Sequence, residues 1–214
     1  MKFDKKELIP ITLITLLFAV SFYLYPKMPE RMPIHWNAAG EINNYGNRFL
    51  GLFLMPVFLA AIYVLFLFLP RIMVYQKNFE KFKNHFYGFK IVFLLFFITI
   101  YIATLLPNFG INVNFGYIVA PALAILFLYI GYMLKFAKRN YFIGIRTPWT
   151  LANEKVWDKT HELGSKLFII KAIVILSAVF FPKRMIWFIL LPIIAVVSFL
   201  FVYSYILYRK EVKK

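Results

Sequence analysis

The side chains in this chain that could do chemistry are few, and they sit in two polar stretches. One is RNYFIGIRTPWTLANEKVWDKTHELGSK, from Arg139 to Lys166. Its HELGS segment starts as a zinc-protease motif does, but H-E-x-x-H needs a second histidine one turn on, on the same helix face. Ser165 stands in that place, and His85 belongs to another loop, so no metal site is expected. His161 with Glu162 or Asp158 remains available as an acid–base pair. Arg146 is suited to a specific contact, because a guanidinium can hold a carboxylate or phosphate through two parallel bonds. Its alternatives are a structural pairing with Glu154 or Asp158, or a lipid headgroup. The other stretch is YPKMPERMPIHWNAAGEINNYGNRF, from Tyr25 to Phe49. Here His35 could titrate, bind a metal or contact a ligand. No second histidine or ligand cluster lies beside it, which argues against a metal. Trp36 suits a membrane interface. Asn37 and Gly40 fall in the turn sequence NAAGE and join His35 and Trp36 as contact candidates.

The rest of the chain must position these residues, and it is overwhelmingly apolar. Of 214 residues 62% are hydrophobic, with 26 Phe and 14 Tyr, well above the roughly 45–50% of a soluble domain. The excess lies in long runs, so the class is an integral membrane protein, all-α, a polytopic helical bundle. Six spans are expected, at about 8–25, 50–70, 89–106, 115–134, 166–181 and 185–208. The first follows a basic start but lacks a small-residue cleavage site, and it is read as a retained helix. Pro56, Pro121 and Pro192 lie within spans and are expected to kink them. No cysteine is present, which excludes disulfides, thiolate metal sites and cysteine nucleophiles.

The net charge of +16 would suggest nucleic acid in a soluble chain. Here its distribution gives another answer. Nineteen Lys and Arg fall on the N-terminus, the loop after span two, the loop after span four and the C-terminus. Five, Lys27, Arg31, Arg48, Lys183 and Arg184, fall on the opposite side. Basic loops stay in the cytoplasm, so both termini are expected there and no direct nucleic-acid binding is expected. Lys171 is the one charge placed within a span. An intramembrane charge is a functional candidate by default, but Lys171 is expected near the cytosolic end, where it would snorkel to water.

Local signals organise both polar stretches. Prolines 26, 29 and 33 make the start of the outer loop, residues 26–49, extended, and NAAGE and NNYG read as turns. Arg31 and Arg48 are placed to pair with Glu30 and Glu41. In the inner segment, 135–165, Gly144 permits a tight backbone and Pro148 stops any helix leaving span four. Thr147, Thr150 and Asn153 are candidate caps for a new helix. From Asn153 a helix runs toward span five. Glu154, Asp158 and Glu162 share one of its faces, Trp157, His161 and Gly164 an adjacent strip, and Trp149 and Trp157 suit the interface.

This inner segment closely resembles the signature of the Sdp immunity protein (SdpI) family: an Asn, then G-x-R-T-x-x-T, then a Trp and Thr-His/Asn-x-x-G. The matching residues are Asn140, Gly144, Arg146, Thr147, Thr150, Trp157, Thr160, His161 and Gly164. The Tyr25–Phe49 stretch resembles an uncharacterised membrane domain that often precedes the SdpI-like half. The resemblance implies a three-helix N-terminal membrane domain, 1–110, and a three-helix SdpI-like domain, 111–214, in a prokaryotic plasma membrane. It also implies a non-enzymatic protein, without cofactor, that protects a cell against a secreted toxic peptide. In the best-known member a transcriptional repressor is also captured at the membrane. Expected partners are then the lipid bilayer, a toxin peptide on the outer face near His35 and Trp36, and a cytosolic regulator near Arg146. The alternatives are a small transporter, or a membrane-embedded hydrolase using residues 144–164.

Overall fold

The computed structural model describes residues 4–181 and 184–213. Lys2, Lys183 and Lys214, counted in the charge balance, lie outside them. Six long apolar helices form the bundle: α1 (Leu8–Leu24), α2 (Arg48–Ile72), α4 (Lys83–Leu105), α5 (Phe115–Leu134), α7 (Glu154–Ser177) and α8 (Met185–Val212). Each is long and apolar enough to cross a membrane, since about 20 residues span ~30 Å of hydrocarbon. Two short helices, α3 (Gln76–Glu80) and α6 (Pro148–Ala152), sit in connections. Large apolar side chains such as Phe22, Trp187 and Phe199 point outward, as a lipid-facing surface requires.

Three connections, 25–47, 106–114 and the one that begins at 178–181, lie at one end of the bundle, here the hairpin face. Both termini and the connections 73–82 and 135–153 lie at the other, the terminal face. The first of these carries an element that an all-helical reading omits. β1 (Arg31–Trp36) pairs antiparallel with β2 (Ile42–Asn47), Arg31 opposite Asn47 and Met32 opposite Gly46, with the register shifting around His35. The expected extension is present at residues 31–36 but not at Tyr25–Lys27, which forms a 3-10 turn, and NNYG, expected as a turn, is extended instead and supplies the partner strand. Met32 is fully buried and packs on Gly51 of α2, where a Cβ would have no room. The expected ion pairs do not form. Arg48 Nε donates to Pro29 O at 3.3 Å, and Glu41 accepts instead from Asn37 Nδ2 at 3.1 Å.

The spans differ from expectation mainly at the terminal face. α4 begins six residues earlier and α7 twelve residues earlier than the apolar runs that suggested them. In α7 the extra turns bury Thr160, His161 and Ser165 against protein, and in α4 they bury Phe86 while Lys83 and Asn84 stay exposed, so neither extension needs a continuous apolar run. α2, α5 and α8 continue unbroken through Pro56, Pro121 and Pro192. A proline inside a helix loses one backbone bond, and the flanking turns hold the helix together.

Two charges are embedded. Lys90, assigned from sequence to a loop, lies buried in α4 and pairs with Glu7, which also accepts from Tyr63 OH. Lys171 does not snorkel. It is 2% exposed, and its Nζ lies 3.6 Å from the ring centroids of both Phe127 and Phe168. Phe127 is in the middle of α5, so the ammonium faces the α5–α7 contact at depth, and two π faces stabilise it in place of water.

Candidate functional site

The two sequence-predicted sites fall on opposite faces of the bundle. On the terminal face, residues 138–164 fold into a knot whose polar groups are mostly bonded to one another and to the backbone. Asn140 ties the first turn. Its Nδ2 donates to Lys138 O (2.8 Å) and Ile143 O (2.9 Å), and its Oδ1 accepts from the amides of Phe142 (2.8 Å) and Ile143 (2.7 Å). All four bonding positions of the amide are therefore used. Gly144 comes next, with φ of +119°, a region that favours glycine. A Cβ there would lie under 3.0 Å from His161 Nε2.

The next residues cap a helix. Thr147 and Thr150 form a reciprocal box: Thr150 N donates to Thr147 Oγ1 (3.2 Å) and Thr147 N to Thr150 Oγ1 (2.9 Å). This satisfies free donors at the start of α6, where Pro148 takes the first helical position. Thr147 Oγ1 also meets Ser204 Oγ of α8 at 3.0 Å. Asn153 then accepts from Val156 N at 3.1 Å and caps α7. These caps were legible in the sequence. Ser204 was overlooked, although it is a hydroxyl standing in the apolar run of α8.

α7 presents the strip of Trp157, Thr160, His161 and Gly164 inward. Asn140, Thr150, Trp157 and Thr160 are 0% exposed and His161 2%. Trp157 is thus a core residue and not an interface anchor. Its Nε1 donates to Ala137 O at 2.8 Å. Trp149, partly exposed, packs edge-on to Phe201. His161 stacks on Trp157 with ring centroids 4.0 Å apart. Its Nε2 accepts the Ile145 amide proton at 3.0 Å, which makes Nδ1 the protonated nitrogen, and that donates to Trp157 O at 2.8 Å. Gly164 leaves room for Ile145, whose side chain would collide with any Cβ. Thr160 Oγ1 has no hydrogen-bond partner among the described residues.

This geometry answers the acid–base question. Both nitrogens of His161 are engaged by the backbone, Glu162 is exposed with Lys166 (3.1 Å), and Asp158 pairs with Lys138 (3.6 Å). His161 therefore has neither a free nitrogen nor a carboxylate partner. Among the described residues no group of three or more His, Cys, Asp or Glu is gathered to hold a metal.

Arg146 differs from its neighbours. It is exposed, its Nη1 donates to Tyr141 O at 2.6 Å, and it forms neither of the expected pairs with Glu154 or Asp158. Tyr141 stacks on Tyr75 (centroids 5.4 Å), and the Arg139 guanidinium lies 5.2 Å from the Tyr75 centroid. A hydrogen bond with Tyr75, then the charge of that phenol, holds the Tyr141 phenol above its ordinary value. This Arg–Tyr–Tyr–Arg group was not foreseen, since Tyr75 and Tyr141 are distant in sequence.

On the hairpin face, Asn37 organises the turn. Its Oδ1 accepts from Ala39 N (2.9 Å) and Glu41 N (3.0 Å), and Gly40 has φ of +77°. The tip docks on the start of α5. Asn114 Nδ2 donates to Ala39 O (2.6 Å), Phe115 N to Gly40 O (3.2 Å), and Trp36 stacks on Phe115 with centroids 4.1 Å apart. His35 is exposed, and its Nδ1 donates to Asn43 Oδ1 at 2.6 Å. Arg31, Arg48, Tyr25 and Tyr45 line an open cleft of about 630 Å³ beside the strands.

Comparison with known proteins joins both faces. Residues 137–205 match the SdpI/YfhL protein family, and residues 12–60 match a domain of unknown function, DUF1648. The chain is 29% identical over 211 residues to the immunity protein SdpI of Bacillus subtilis (strain 168), covering 96% of this chain and 97% of that protein. Neither family description names an enzyme. No solved structure matches. The SdpI-type signature read in residues 140–164 is thus matched at family level, and this multi-pass membrane protein resembles SdpI from its first long helix to its last.

Proposed function

We propose that the chain is a membrane immunity protein that protects its cell against a secreted toxic peptide. The observation that carries this is the likeness to an immunity protein across 96% of the chain. It takes in the hairpin face as well as the SdpI/YfhL segment. The basic bias of the terminal face supports a cytoplasmic position for that face, and the hairpin face is then where a secreted peptide would arrive. Residues 1–110 and 111–214 then act as two halves, one presenting the hairpin and the other the knot. His35 and the cleft lined by Arg31, Arg48, Tyr25 and Tyr45 are the peptide contacts. Arg146, with its guanidinium exposed on the opposite face, is the contact for a cytosolic regulator such as a repressor held at the membrane.

The test is survival and membrane potential of a sensitive bacterium challenged with Sdp-type toxin peptides. Cells expressing the wild-type chain at a verified membrane level are expected to keep both. Equal killing of expressing and empty cells would refute protection against that peptide class.

A further inference from the structure

On the terminal face, a cavity of about 330 Å³ opens between the end of α2, the start of α4, the end of α5 and the loop before α6. Leu69, Phe89, Ile130, Met133, Phe142 and Ile145 are among its walls, and no charged side chain lines it. Its volume is that of a small ligand site. Water would find few polar partners inside, and apolar cavities take apolar guests. The walls come from the last two turns of α2 and α5, close to the end of the hydrocarbon layer. The apolar material available at that depth is a lipid acyl chain.

A basic residue adjoins the cavity wall. Phe142–Ile145 line it, and the next residue is Arg146, whose bond to Tyr141 O closes this loop across its ends. Arg146 uses one guanidinium N–H here and has no carboxylate partner among the described residues. Beyond the stacked Tyr141 and Tyr75 lies Arg139, whose Nε is buried without a hydrogen-bond partner among the described residues. Two guanidiniums with donors to spare thus bracket a tyrosine pair beside an apolar cavity. Basic pockets between transmembrane helices bind anionic headgroups, and a guanidinium matches the oxygen geometry of a phosphate.

We infer that this is a binding site for one anionic phospholipid of the adjoining leaflet, with an acyl chain in the cavity and the phosphate on Arg146. The inference does not depend on the immunity function. In a membrane, the lipid fastens the loop carrying the 140–164 signature to α2 and α4.

The test uses the full chain in dodecyl maltoside, with thermal protection titrated by dioleoyl phosphatidylglycerol, dioleoyl phosphatidylcholine and inorganic phosphate. Wild type is expected to take phosphatidylglycerol about tenfold more tightly than phosphatidylcholine and to be unprotected by inorganic phosphate. Arg146→Gln should weaken phosphatidylglycerol more than phosphatidylcholine and so reduce that preference severalfold. Ile130→Trp and Leu69→Trp, which fill the cavity from two different helices, should each abolish protection by both lipids. Each variant is first required to elute as a single species with a cooperative transition. Equal protection by the two lipids in wild type would overturn the proposal. So would undiminished lipid binding in both filled variants, or protection by inorganic phosphate equal to that by phosphatidylglycerol.

Discussion

The hairpin and the knot are both polar insertions in an apolar bundle, and both contain a His, a Trp, an Asn and a Gly. They use these residues differently. In the knot the His and the Trp are buried, stacked and bonded to backbone. In the hairpin the Trp and the Gly dock the tip on α5, while the His stays exposed. The difference lies in what surrounds the backbone. The buried part of the knot packs against α7, α8 and the end of α5, where a polar group has to find an internal partner, and most of them do. The hairpin supplies its own strand pairing at the water-exposed end of the bundle and leaves side chains free. A polar signature in a membrane protein therefore specifies loop geometry first. The proposed contact residues are those that the geometry leaves over, Arg146 on one face and His35 on the other.

Truncating the two histidine neighbourhoods gives the largest contrast. Trp157→Ala removes a fully buried ring together with its bond to Ala137 O, and it should cost about 3–5 kcal/mol. His35→Ala removes an exposed ring bonded to an exposed amide, and it should stay within about 0.5 kcal/mol. Unfolding midpoints in detergent measure both. If the two variants unfolded alike, the division between buried knot and open hairpin would fail.

Glycine substitutions sharpen the same contrast with a smaller effect. Gly144→Ala places a Cβ against His161 at positive φ, whereas Gly110 also has positive φ (+76°) but nothing within 4 Å of a Cβ. Gly110→Ala should cost only the backbone term, about 1–2 kcal/mol. Gly144→Ala adds displacement of His161 and loss of its bond to Ile145 N, about another 1–3 kcal/mol. Matched thermal melts of the two variants provide the comparison. Equal losses would mean that the loop gives way without disturbing the ring.

How much of the molecule was legible in the sequence depends on the range of each interaction. The six spans, the caps at Thr147 and Asn153 and the turn at Gly144 depend on neighbours within a few residues, and each could be read directly. The strand pairing of residues 31–36 with 42–47 was half legible: the turn was visible, but an N-x-x-G turn does not specify a register. The Thr147–Ser204 bond, the Tyr75–Tyr141 stack and the Glu7–Lys90 pair join residues 57 to 83 positions apart. Nothing local marks such partners in one sequence. Lys171 was misplaced for the same reason. Its depth was judged from the apolar run around it, but α7 extends twelve residues beyond that run and Phe127 belongs to another helix.

Breaking one cap tests the knot more gently. Thr147→Val keeps the shape but removes the hydroxyl that caps α6 and meets Ser204. The expected loss is about 1 kcal/mol. Ser204→Ala should cost less, because the cap within α6 survives. In the double variant the two losses should fall short of their sum, since both remove the same hydroxyl contact. Additive losses would separate α6 from α8 and leave the cap purely local.

The smallest effect on stability should accompany a distinct effect on function. Arg146→Gln leaves the knot's buried bonds intact, because the guanidinium touches only Tyr141 O; the expected change is within about 0.5 kcal/mol. If Arg146 serves a regulator on the terminal face and His35 a peptide on the hairpin face, the two variants should separate in cells at matched membrane levels. His35→Ala should weaken survival under toxin challenge, while Arg146→Gln should preserve survival and lose a response read from a toxin-induced reporter. Loss of survival in Arg146→Gln with normal stability would place protection itself on the terminal face. The exposed histidine would then have no part in it, and the division of labour between the two faces would have to be reversed.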